Sequence, residues 1–153
     1  MIKQYCTFHL GDTFMGVEVS RVQEVLRYQT MTQVPLASSV VEGLINLRGR
    51  IVTAIDLRRR IQLPPRPKEQ LPMNVVVRDE DSIVSLLVDE IGDVLEVEDT
   101  EIRPPPSTLS GVAFGLISGV YKLESQLLLL LDIEQMFKID AEANAVTSAE
   151  GVE

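Results

Sequence analysis

The stretch Gly43-Leu44-Ile45-Asn46-Leu47-Arg48-Gly49-Arg50-Ile51-Val52-Thr53-Ala54-Ile55-Asp56-Leu57 holds two apolar runs of β type around the turn pair Arg48-Gly49. Its outline returns later in the chain. Gly43, Leu47, Ile51, Val52, Ile55, Asp56 and Leu57 match Gly119, Leu123, Leu127, Leu128, Leu131, Asp132 and Ile133, each pair 76 residues apart. A second ordered set lies upstream, 69 residues apart: Val17, Val19, Val22, Glu24, Val25 and Leu26 match Leu86, Val88, Ile91, Asp93, Val94 and Leu95. A longer loop around Pro104-Pro105-Pro106 absorbs the change of seven. Two ordered sets with acidic residues in register mark an internal duplication.

Outside these blocks the same grammar holds. Tyr5–Leu10 alternates, Gly11-Asp12 supplies a turn and Phe14–Val19 follows, which predicts a hairpin. Met31–Val34, Asn74–Arg78, Ser82–Val88, Val94–Glu98, Gly115–Leu123 and Leu127–Asp132 read as further strands. Ser20 with Gln23 suggests a capped short helix bearing Val22, Val25 and Leu26 as its apolar stripe. Leu57–Gln62 and Ile133–Phe137 read as single helical turns, each capped by the aspartate before it. The fold expected is mainly β: two SH3-like five-stranded barrel lobes packed together. The first covers about 14–72, and the second about 73–139 plus the N-terminal strand 1–13. A mobile tail is expected over 140–153. Lobes of this size are too small to stand alone, so a common apolar seam is expected.

Composition narrows the function. The chain has 153 residues, 45% apolar and 24% charged, which fits a globular protein. The net charge of −9 is polarised: residues 1–70 hold ten basic and six acidic residues, and residues 71–153 hold four and seventeen. The longest aliphatic run, Leu127–Leu131, is far short of the roughly 20 residues of a membrane helix. No export signal is read at the start, and the single cysteine, Cys6, fits a reducing compartment.

Catalytic constellations are missing from the pattern. Cys6 and His9 are three apart on one strand and point to opposite faces. No cysteine and histidine cluster suits zinc, no EF-hand spacing suits calcium, and no glycine-rich phosphate loop is present. No cofactor is expected. Asp56 and Asp132 could pair as acid and base, but their matching repeat positions favour a structural task. The arginines of 48–68 leave a small-barrel nucleic-acid binder as the alternative, against an aromatic content of 5%. Two polar elements remain, Arg48 in a hairpin turn and Glu24 upstream.

Taken together, the block 43–58, Phe8-His9-Leu10-Gly11-Asp12, Val22-Gln23-Glu24-Val25, Val88-Asp89-Glu90-Ile91-Gly92-Asp93-Val94-Leu95 and Ile102-Arg103-Pro104 resemble the chemotaxis coupling family CheW, from about Tyr5 to Ile139. The resemblance implies a non-enzymatic adaptor that couples methyl-accepting chemotaxis receptors to the histidine kinase CheA, in the cytoplasm beneath receptor arrays at the inner membrane. It implies a receptor-tip groove at Val22, Glu24, Arg48, Ile91 and Val94. It implies contact with the kinase regulatory domain at Met31, Val34 and Ile51, and a ring contact at Arg103. It implies neither nucleic acid as a partner nor insertion into the membrane.

Overall fold

The computed structural model describes residues 1–35, 37, 39–107 and 115–138. The expected tail over 140–153 lies outside them.

Hairpins form where turn chemistry separates two alternating runs. β1 (Ile2–Leu10) and β2 (Thr13–Glu18) flank Gly11-Asp12, and Gly11 adopts φ 59°. A 3-10 turn over Val19–Arg21 then leads into β3 (Val22–Leu26). β4 (Val41–Leu47) and β5 (Arg50–Asp56) flank Arg48-Gly49 and run into α1 (Leu57–Arg60). β6 (Met73–Asp79) and β7 (Ser82–Val88) make the next hairpin, followed by β8 (Glu90–Glu98). β9 (Ile117–Lys122), β10 (Leu127–Leu131) and a helix over 133–138, α2, complete the described chain. The two helices are capped alike. The Asp56 carboxylate accepts the Arg58 amide at 3.1 Å, and the Asp132 carboxylate accepts the Gln135 amide at 3.0 Å. Capping is thus the shared task of the matched aspartates.

The strands build two five-stranded sheets, ordered β3-β6-β7-β5-β4 and β8-β1-β2-β10-β9. The two orders are the same list under the duplication, with β3 standing for β8, β6 for β1, β7 for β2, β5 for β10 and β4 for β9. Each sheet therefore takes its central hairpin from one repeat and its other three strands from the other. The parallel contacts β5–β7 and β10–β2 are the seams of this exchange. The expected lobe boundaries are corrected accordingly. β2 belongs with β1 in the second sheet, and β6 and β7 belong in the first. A division at 13/14 would cut the β1–β2 hairpin, whose antiparallel ladder runs from Leu10↔Thr13 to Tyr5↔Glu18.

The expected helix after Ser20 is also corrected. Val22–Leu26 is strand, paired with β6 through a bulge between Val22 and Glu24. Half-burial falls on Val22, Glu24 and Leu26, while Val25 faces outward at 38% exposure. A carboxylate on the inner side and a valine on the outer one counterfeit a helical stripe. Met31–Val34 is not a strand either, since only Thr32 bridges to Leu44.

The main core is the seam between the sheets. It joins Phe8, Met15 and Val17 of one to Ile55, Val75 and Leu86 of the other, with Leu57, Ile133 and Met136 from the helices. Smaller clusters lie in each sheet, Tyr5, Phe14, Val97, Leu128 and Leu130 in the second and Ile45, Val52, Ala54 and Leu87 in the first.

One two-bond bridge ties the segment after β3 to β4, and another ties the segment after β8 to β9. Thr32 and Leu44 exchange hydrogen bonds of 2.9 and 2.8 Å, and Arg103 and Val120 exchange two of 2.8 Å. The matched glycines explain how the chain comes so close. A Cβ on Gly43 would sit 2.8 Å from the Thr32 carbonyl oxygen, and one on Gly119 would sit 2.6 Å from Ile102 Cγ2 and 3.0 Å from the Arg103 oxygen.

Gly43→Ala should therefore lower unfolding stability by about 2 kcal/mol, as other overpacked sites do. Gly115→Ala meets nothing within 4 Å and should shift stability by less than about 0.5 kcal/mol. Denaturant unfolding of the two variants checks this, and equal effects would discount the close approach.

Candidate docking surface

Arg48 stands at the first position of the two-residue β4–β5 turn, with φ 53°, and Gly49 follows at 85°. Two successive positive φ values match the twist of the flanking strands, and such turns favour Asn-Gly. An arginine there carries a backbone cost of about 1 kcal/mol. The Asn46 side-chain oxygen accepts the Gly49 amide at 2.8 Å and holds the turn. Arg48 Nη1 donates to both Glu24 oxygens, at 2.8 and 2.7 Å. Glu24 lies on β3 and Arg48 beside β4, the two ends of the sheet order. The ion pair thus joins those ends on the surface. Arg48 is 72% exposed, so it contributes little to stability and leaves most of its guanidinium open.

The other expected receptor-groove residues are related by the duplication. Val22 on β3 and Ile91 on β8 both pack on the main core. Val94 on β8 is 54% exposed, as its repeat mate Val25 is outward on β3. The residues expected to face the kinase have three separate settings. Met31 packs on the first-sheet cluster beside the Thr32 bridge, Val34 is exposed in the loop, and Ile51 projects from β5 at 61% exposure. Arg103 is pinned by its backbone to Val120 while its side chain stays exposed.

A cluster that sequence reasoning missed sits where the chain crosses between sheets. Asp89 is the single residue between β7 and β8, and it is buried. Its carboxylate accepts from the Gly11 amide at 2.6 Å, Arg66 Nε at 2.8 Å and Arg58 Nε at 3.0 Å, with a further very short contact from Arg58 Nη2. Asp89 also donates its amide to the His9 carbonyl at 3.0 Å. Asp56 lies 3.7 Å from Arg66. Burial raises the Asp89 pKa, but the hydrogen bonds from Arg58, Gly11 and Arg66 outweigh it and hold the carboxyl below its ordinary range. The bond to Asp89 raises the Arg58 pKa. The sequence offers only an aspartate at the end of an aliphatic strand, 31 and 23 residues after the arginines that bind it.

Catalytic readings find no geometry. His9 stacks on Phe14, ring centroids 4.6 Å apart, and burial pushes the Cys6 thiol pKa up. Among the described residues no group of His, Cys, Asp or Glu is arranged to hold a metal ion, and no helix is long and apolar enough to cross a membrane. The basic stretch of 48–68 is largely engaged internally: Arg58 and Arg66 by Asp89, Arg59 by Glu42 at 2.9 Å, and Arg50 by the Asp81 carbonyl at 3.2 Å. That removes the free basic track a nucleic-acid groove requires.

Comparison with known proteins gives one answer. The family model described as the CheW-like domain matches residues 4–141. The chain is similar to the chemotaxis protein CheW of Treponema pallidum, 31% identical over 138 residues, covering 88% of this chain and 81% of the relative. It is similar to the chemotaxis protein CheW of Klebsiella aerogenes, 29% identical over 134 residues with the same coverage. The crystal structure of the scaffolding protein TtCheW from Thermoanaerobacter tengcongensis superposes with a TM-score of 0.79 at 26% identity, covering 87% of this chain and 90% of that one.

Asp89 gives a pH prediction. With the folded pKa below the unfolded value, its stabilisation is complete above about pH 4, the ordinary carboxylate range, and is lost as pH falls through the folded value. Asp89→Asn leaves two largely desolvated guanidinium groups without this carboxylate. It should cost about 3 kcal/mol at pH 7, with the gap from the parent closing below about pH 4. Urea unfolding across pH reads both, and a gap independent of pH would refute the charge argument.

Proposed function

The chain belongs to the CheW-like domain family, and on that premise we propose that it is a non-enzymatic adaptor coupling methyl-accepting chemotaxis receptors to a CheA-type histidine kinase. The observation that carries this reading is the Arg48–Glu24 pair. It is an exposed, conformationally costly arginine held at a hairpin tip beside an edge strand whose valine faces outward. A backbone cost with no stabilising return points to a task outside the fold. Val22, Glu24, Arg48, Ile91 and Val94 are the proposed receptor-facing set. Met31, Val34 and Ile51 face the kinase regulatory domain, and Arg103 serves a second contact within the array. Aliphatic side chains supply the buried centre of such contacts and the charged pair sets orientation.

An adaptor with two docking surfaces transmits a signal as a difference in binding free energy, typically about 1–3 kcal/mol. No bond is made or broken. The cytoplasm, in association with receptor arrays at the inner membrane, is the proposed setting.

Arg48→Asp should reduce receptor-dependent kinase activation by about tenfold or more in a reconstituted assay, the scale of one coupling energy. Arg48→Asn should do the same while leaving stability within about 0.5 kcal/mol of the parent, because asparagine suits the turn and the lost ion pair is exposed. Full activation by both variants would overturn this assignment.

A further inference from the structure

The duplication gives the chain two equivalent crossovers between the sheets, and they are built differently. At the second, Asp89 is buried and held by Arg58, Arg66 and the Gly11 amide. At the first, the equivalent position is Ser20, whose hydroxyl reaches only Glu18 at 3.4 Å. No residue of the Val19–Arg21 turn is buried. Arg21 lies on the surface, 2.8 Å from Asp79 and 4.0 Å from Glu134. Glu134 occupies on α2 the place that Arg58 occupies on α1, so the buried clamp of one junction is a loose surface pair at the other.

Three surface cavities of about 300, 480 and 510 Å³ converge on the Glu18–Arg21 segment. Both strands that leave the crossovers carry a register shift near their start, but β3, after the first, has only five residues. The strand leaving the second, β8, has nine. Shorter pairing and partly exposed ion pairs lower the free energy of local opening.

We propose that the Glu18–Leu26 segment is the adaptable half of the docking surface and that β8, latched by Asp89, is its fixed half. β3 and its crossover open locally in the free protein and are ordered by the docked partner, while β8 keeps its place. The inference rests on the docking reading for its purpose, but the opening itself belongs to the free chain.

Hydrogen–deuterium exchange on the full-length free protein tests it, read by peptides over 19–26 and 90–97. Amides of the first set that bond within the sheet should exchange roughly tenfold faster than those of the second. Asp89→Asn should accelerate the second set and leave the first unchanged. If that variant does not fold, Arg66→Gln removes one donor of the latch and should act in the same direction. Equal protection of the two strands in the parent, or a folded latch variant with β8 unaltered, would overturn the proposal. Because no partner is present, a failure here leaves the receptor reading standing, and a failure of receptor binding leaves this result intact.

Discussion

Neither sheet can be completed by one repeat. Each central hairpin lies between strands of the other half, with an antiparallel ladder on one side and a parallel one on the other. This exchange is the constraint on which the rest depends. It removes the open edges a lone hairpin would present to other chains. It also carries the chain across the seam at Val19–Arg21 and at Asp89, and places the main apolar core between the halves rather than inside either. A common core supported by two crossed hairpins explains how lobes of such small size are stable together.

The charged groups divide into those that hold this arrangement and those that leave it free. Asp89 is buried and its partners Arg58 and Arg66 are partly so, and the three satisfy one another, the condition under which buried charge is tolerated. Arg48 and Glu24 repeat the chemistry at the surface, where water screens it. The first set fixes where β8 emerges. The second presents a guanidinium at the open side of β3. An adaptor needs both kinds, a frame rigid enough to define a surface and a surface whose charges are not consumed by the frame.

Much of this was legible in the sequence, for local reasons. Alternation and turn residues mark the hairpins, and Asp56 and Asp132 announce their caps because the partner amide is two or three residues away. The duplication was legible because both halves keep the same inward positions. What failed was non-local. Val25 and Glu24 reverse the usual apolar-inside rule on an edge strand, so β3 resembles a helix. Nothing in the sequence of a hairpin says which sheet receives it, so the lobe boundary was misplaced. The match of Gly43 with Gly119 was visible, but its cause lies in Thr32 and Ile102, brought up from elsewhere. The donors to Asp89 come from 78, 31 and 23 residues away, and no spacing rule links them. The proposed docking residues were named only through family likeness, since exposed aliphatic and charged side chains have no pattern of their own.

The hairpin exchange also has a consequence for ancestry. A half-length chain of this design would hold two strands of one sheet and three of the other, so it could fold only as an obligate pair of identical molecules trading hairpins. Covalent fusion turns that bimolecular step into an intramolecular one and frees folding from dilution. It also releases the copies from sameness. Once fused, the first half of the sequence could become net basic and the second strongly acidic, as in this chain, and the two copies could take on different tasks.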